Sequence, residues 1–276
     1  MPVSWSRRLP LMLAFALVAN VGAAVGAAAR SHGAMPTAER ASTIAQHRST
    51  PVSPKERALR FAVANDFAFL DPPSKDGEVD RWDPCAPIHY VVNVVKGDPD
   101  DLQLVRAAVH EAAHESGLSF VFDGTTTELP SASRKDVRHQ GIGWKWAPVL
   151  IALVPHSDYH TQDRDSDSVA FTDPDIYSDD VTGDNQIVSG QIVVDIDAMA
   201  QQDRYQPDVL MPTMLHELGH LIGLGHVDYA YELMAPDGGG LPGYGQGDRA
   251  GLSYLGKSHG CIDDPAMPQD SDDFPG

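Results

Sequence analysis

The eleven residues His216–His226, His-Glu-Leu-Gly-His-Leu-Ile-Gly-Leu-Gly-His, constrain this 276-residue chain more than any other segment. They demand a helix followed at once by a sharp turn. On an α-helix, positions four apart share a face, so His216 and His220 can present ring nitrogens to one point about 2 Å from each, the length of a zinc–nitrogen bond. One step of about 100° carries Glu217 out of the ligand set but leaves it within reach of a water at an open position. Gly223 can take a positive φ and turn the chain, which returns His226 as a third donor. Three nitrogen ligands with a fourth position open mark a catalytic zinc site, not a structural one. Met214, Leu215, Leu218, Leu221 and Ile222 cover the rest of the helix surface, so the imidazoles line the one polar opening of a buried helix.

The shorter pattern occurs twice. His110-Glu111-Ala112-Ala113-His114 also fits it, inside a stretch from Asp98 to Ser116 whose apolar period predicts an amphipathic helix. Leu102, Val105, Val109, Ala112, Ala113 and Ser116 fall on the inner side, and His110 and His114 fall off it, beside Gln103 and Ala107. Phe120 stands six past His114, where a third His would be needed. A two-His-plus-Glu hydrolase built on this pair is the rival reading, and a solvated helix face is the expected one.

The long motif resembles that of the metzincin clan of zinc metallopeptidases, its matrixin branch of the secreted bacterial type in particular. Met234, in Glu232-Leu233-Met234-Ala235-Pro236, lies eight residues after His226 and is similar in place to that clan's Met-turn, an apolar floor beneath the metal. The resemblance implies an α+β catalytic domain: a twisted mixed β-sheet with a long backing helix, a zinc-site helix and a C-terminal helix. It also implies that the strand read from the alternation of Gly190–Ile196 forms the edge of a substrate cleft. Gly190 and Ile192 would then lie along an extended peptide held by β-augmentation, with Pro236 and Tyr244 near the specificity pocket. Asp248–Gly256 looks like the closing helix, and Asp248 matches one of two adjacent acids of the family, the other being Gly247 here. Ala235 and Val227 depart from the residues common in matrixins. The stretch from His156 to Asp167 does not have the spacing of the family's structural zinc site. Asp163, Asp165 and Asp167 lack the turn glycine and final Glu of an EF-hand, so a solvated acidic loop is expected there, with Ca2+ as the alternative.

Arg7 and Arg8, an apolar run from Leu9 and the small residues Ala27–Ala29 predict a signal peptide over 1–29, and so a secreted, extracellular protein; an uncleaved membrane anchor is the alternative. Residues 30–64 are polar and aperiodic and are expected to be an unstructured propeptide or linker. A catalytic domain over 65–262 follows, opened by a hairpin around Phe67–Trp82, with strands at Ile88–Val95 and Val149–Val154. Residues 263–276 are expected to be a disordered acidic tail. Cys85 and Cys261 are the only cysteines, and in an exported chain they would pair. The formal charge of −19 becomes −21 once Arg7 and Arg8 leave with the leader, which argues against nucleic acid or an anionic membrane as partner. The expectation is a monomeric zinc-dependent endopeptidase acting on protein or peptide, with Glu217 as proton carrier. A catalytically silent zinc-binding module acting in adhesion or as a decoy is the alternative.

Overall fold

Val149–Val154 has no polar residue and no exposed one, as befits a strand covered on both faces. It lies at the centre of the sheet. The computed structural model describes residues 52–141, 143–159, 168–178, 185–201, 207–236, 238–263 and 265–268. In chain order the elements are helix α1 (Pro54–Ala64), strands β1 (Ala68–Phe69) and β2 (Ile88–Asn93), the long helix α2 (Asp101–Ser116), strand β3 (Phe120–Thr125) and the antiparallel pair β4 (Val137–Gln140) and β5 (Gly143–Trp146). Then come β6 (Val149–Val154), β7 (Ala170–Ser178), β8 (Asn185–Asp195), the short helix α3 (Ile196–Gln201), helix α4 (Pro207–Ile222), β9 (Leu224–Gly225) and helix α5 (Gln246–Leu255).

The architecture is α+β, around a mixed five-stranded sheet of order β3-β2-β6-β8-β7. Its first four strands are parallel, and β7 lies antiparallel on the edge. The period of two sorts the side chains. Ile88, Tyr90 and Val92 of β2, Ile151 and Leu153 of β6, and Ile192 and Val194 of β8 join one core with Val105, Val109 and Ala112 of α2 and Met214, Leu218 and Leu221 of α4. Val91, Leu150, Ala152 and Val193 form a smaller cluster with Tyr159. Each such aliphatic side chain is worth about 1.5–3 kcal/mol when fully buried, so the seam between sheet and helices is the main support of α4.

The ends of the domain differ from expectation. Residues 54–64 are helical: Ser53 Oγ accepts the N–H of Glu56, Pro54 opens the first turn, and Ala58 and Ala62 are buried. No hairpin forms over 67–82. Instead β1 pairs antiparallel with β9, Ala68 opposite Gly225 and Phe69 opposite Leu224, a partnership between residues far apart in sequence. The tail is held beyond the last cysteine, since Asp83 Oδ1 accepts the Ile262 N–H at 3.2 Å and Gln186 Oε1 accepts that of Ala266 at 2.7 Å. Residues 269–276 lie outside the described residues, as do 1–51 and the Asp163, Asp165 and Asp167 stretch weighed for calcium. Cys85 and Cys261 form a disulfide across a separation of 176 residues. In the chain-entropy account a loop so long contributes on the order of 5 kcal/mol. Among the described residues no helix is long and apolar enough to cross a membrane.

Candidate functional site

Leu210, Met214, Leu215, Leu218, Leu221 and Ile222 bury α4, and this leaves His216 and His220 at its polar margin. The helix stops at Gly223, whose φ is +113° and whose added Cβ would lie 2.9 Å from the Asp80 carbonyl oxygen. Turn and close approach together require glycine. Trp82 Nε1–H donates to the Leu221 carbonyl at 2.8 Å and satisfies one group that the helix end leaves open. The chain then runs back along β1 and delivers His226.

The three Nε2 atoms stand at the corners of a nearly equilateral triangle. His216 and His226 are 3.0 Å apart, and His220 lies 3.1 Å from each of them. Nδ1–H of His216 donates to the Leu233 carbonyl at 2.7 Å, and Nδ1–H of His220 to the Leu224 carbonyl at 2.8 Å. A carbonyl can only accept, so these two rings carry their protons on Nδ1 and turn bare Nε2 lone pairs inward. Lone pairs at that range repel one another unless a cation sits among them. Nitrogens bound tetrahedrally at a zinc–nitrogen distance of about 2.0–2.1 Å lie about 3.3 Å apart, close to the spacing here. The cluster could therefore hold a divalent ion, and its donor set is compatible with zinc. Burial is also the first cause that lowers all three imidazole pKa values, His220 to about 3 and His226 to about 4, with neighbouring imidazoles adding to it at those two; at His216 the Leu233 carbonyl and Asp248 oppose the fall. Near neutral pH all three are uncharged donors. A second group, Asp83 with Cys85 and Cys261, has ligand spacing too, but its sulfurs are consumed by the disulfide.

Glu217 is 6% exposed beside this triangle. Thr172 of β7 reaches it from across the sheet edge, its Oγ1 standing 2.7 Å from Glu217 Oε2 and 2.9 Å from the Glu217 main-chain oxygen. Below the rings, Met234 is buried, and a Cβ on Gly219 would collide with its sulfur, so the turn packs directly against α4 between the two helical His. Asp248 of α5 fixes that turn. Its carboxylate accepts the N–H of Leu233 at 2.6 Å, of Gly245 at 2.9 Å and of Met234 at 3.3 Å. Glu232 Oε2 in turn accepts the Asp248 N–H at 2.9 Å, and burial raises the Glu232 pKa. A relay of hydrogen bonds thus runs from Asp248 through Leu233 to the ring of His216, the outer support that sets a ligand's orientation.

The sequence-expected residues divide accordingly. His216, His220 and His226 converge, with Glu217 and Met234 beside and beneath them. Gly190 and Ile192 do not line a cleft edge: β8 is an inner strand, with Ile192 between Ile151 of β6 and Thr172 of β7, and the Gly190 carbonyl accepts from the guanidinium of Arg134. The alternating pattern identified a strand but carried no information on its neighbours. Tyr244 is 3% exposed, and its hydroxyl donates to the Leu215 carbonyl at 2.6 Å, so it braces α4 and is closed to a ligand. Pro236 is exposed on the turn after Met234. His110 and His114 are exposed on α2. Sequence reasoning missed Thr172, because a hydroxyl 45 residues from its partner leaves no local signal. It also missed Trp82 as a helix cap, expecting it in a hairpin. A scan against protein-family models and a search of curated proteins find no match to this chain.

Proposed function

We propose that the chain is a secreted zinc-dependent endopeptidase, metzincin-like in fold and in its matrixin-type motif, acting as a monomer on protein or peptide substrates. The observation that carries this reading is the convergence of three neutral Nε2 donors, two of them fixed by carbonyls, beside the buried carboxyl of Glu217. His216, His220 and His226 would hold the metal. Zinc there would supply Lewis acidity both to a scissile carbonyl and to the attacking water. Glu217 takes the proton that water loses and returns it to the leaving amine nitrogen, so no covalent enzyme intermediate is required. Its place beside the three rings, with Thr172 as a hydrogen-bond partner, supports this role.

The substrate edge is assigned to β7. It is the outer strand on the side of Glu217, without a second ladder partner among the described residues, and an extended peptide would pair with that edge while side chains on alternate positions enter pockets. Secretion rests on the leader-like residues 1–29, and the disulfide suits an oxidising compartment. The test is hydrolysis of casein by the purified mature protein, with and without a chelator, followed by zinc. Cleavage that stops on chelation and returns with zinc is the expected result. Zinc binding without cleavage of casein or of a peptide library would instead favour a silent binding module.

A further inference from the structure

We infer that Thr172 is a positioning residue for Glu217, anchoring its carboxyl against the main chain of α4. The inference deepens the peptidase reading above and rests on it. Thr172 projects from β7, opposite Ile192, and its single hydroxyl lies within hydrogen-bond distance of two oxygens of the same residue, Oε2 at 2.7 Å and the main-chain oxygen at 2.9 Å. A hydroxyl has one proton to donate and lone pairs to accept with. The Thr172 hydroxyl directed at Oε2 fixes that oxygen and leaves the second carboxyl oxygen to do the acid–base work, while the main-chain oxygen of the same residue lies close enough to fix the hydroxyl in turn.

The main-chain oxygen belongs to a rigid turn of α4 between two metal donors, so the anchor also ties the carboxyl to the frame that carries His216 and His220. A general base contributes only when held within hydrogen-bond reach of the proton it takes. A Glu side chain has several rotors, and a swing of about 1 Å away from that position is enough to lose a large part of its effect. Thr172 also sits on the strand assigned to the substrate, so the anchor of the base and the docking edge share one element. That edge sets where the scissile bond lies relative to the base.

The test compares Thr172→Val, which keeps the shape and removes the hydroxyl, with Thr172→Ser, which keeps the hydroxyl, in the full chain loaded with zinc. Thr172→Val is expected to keep its zinc affinity in chelator competition and its KM, while kcat falls by about 10-fold or more, a fraction of the roughly 10²–10⁴-fold that a general base supplies. Thr172→Ser should restore most of that loss. A second measurement does not depend on turnover: acetohydroxamic acid chelates zinc and carries polar hydrogens that a carboxylate held beside the metal can accept. Its calorimetric Kd should weaken in Thr172→Val and recover in Thr172→Ser. Unchanged kcat and unchanged hydroxamate affinity in Thr172→Val would overturn the inference, as would a loss of zinc that Thr172→Ser shares. If the wild type and Glu217→Gln are equally inert on peptides, the peptidase reading fails by itself, and the hydroxamate measurement still decides whether Thr172 anchors Glu217.

Discussion

Two helices carry the pattern His-Glu-x-x-His, and they could hardly be used more differently. On α2, His110 and His114 face solvent, and His114 lies 3.5 Å from the carboxylate of Glu115 beside it. On α4, the equivalent rings are half buried, each is oriented by a main-chain carbonyl, and the turn after Gly223 brings a third ring to meet them. Helical spacing is common to both. What differs is everything around the rings: the direction in which the apolar stripe faces, the carbonyls that set the tautomer, the carboxylate of Asp248 that holds one of those carbonyls, and a hydroxyl on the neighbouring strand. Five residues can put two imidazoles on one face, but only the fold can make that face a site.

Paired substitutions can break this contrast. The largest difference is expected for Glu217→Gln against Glu111→Gln. The first should lower kcat by about 10²–10⁴-fold with zinc retained, the second should leave it unchanged, and a quenched peptide assay on both proteins reads the ratio. An equal effect of the two would erase the distinction between the helices. Next come the donors. His226→Ala should weaken zinc binding by more than the roughly 10–100-fold typical of losing an outer partner, whereas His110→Ala and His114→Ala should leave the affinity as it was.

The support beneath each helix can be compared in the same way. Asp248→Ala strands main-chain donors of Leu233 and Gly245, at about 1–3 kcal/mol for each buried group, and should also cost zinc affinity by about 10–100-fold. Asp101 of α2 accepts the Asp98 N–H at 2.6 Å, and Asp101→Ala should lower stability by about 1 kcal/mol with no effect on metal. Chemical denaturation and chelator competition on the two variants separate those outcomes.

The smallest effect concerns β7, the strand that serves α4. Burial, then Asp136 and Asp173, raise the Asp175 carboxyl to a pKa of about 6 against Arg134, which lowers it. A folded pKa above the unfolded one means that the folded state holds the extra proton. Stability is therefore greatest below the ordinary value of 3.8 and declines as pH rises toward about 6. Asp175→Asn should raise Tm at pH 7 by a few degrees, on the scale of the roughly 2–4 °C that 1 kcal/mol moves a domain of this size, and the gain should vanish below about pH 4. A gain that persists at low pH would point to some cause other than charge.

Much of the frame was legible because it is written in local periods. The apolar stripe of α2, the run Val149–Val154, the glycine that ends α4 and the spacing of the three His each follow from neighbours in sequence. The rest depends on which distant segments meet. Asp173-Pro174-Asp175 gives no strand period by which to read β7, yet an edge strand tolerates proline and carboxylates because its outer side needs no ladder partner. With that edge unread, the alternation of Gly190–Ile196 points to β8, which the fold makes an inner strand. The two-residue strands β1 and β9 are too short for any period to reveal, and the pairing of Phe69 with Leu224 is a property of the folded core. Helix α1 was missed because its composition is polar, while its two buried alanines lie four apart on one side. The three donors could be found by counting, but their carbonyl, carboxylate and hydroxyl supports could not.

The pairing of β1 with β9 has a consequence for proteolysis at the amino end. A cut within α1 would remove the buried Ala58 or Ala62 and yet leave in place the strand that lies against Leu224 and Gly225. A cut beyond Phe69 would release that strand and, with it, the backing of the bend just ahead of His226. The step from lost packing to a lost bend therefore falls at Ala68 and Phe69, a patch of main chain that touches none of the donors.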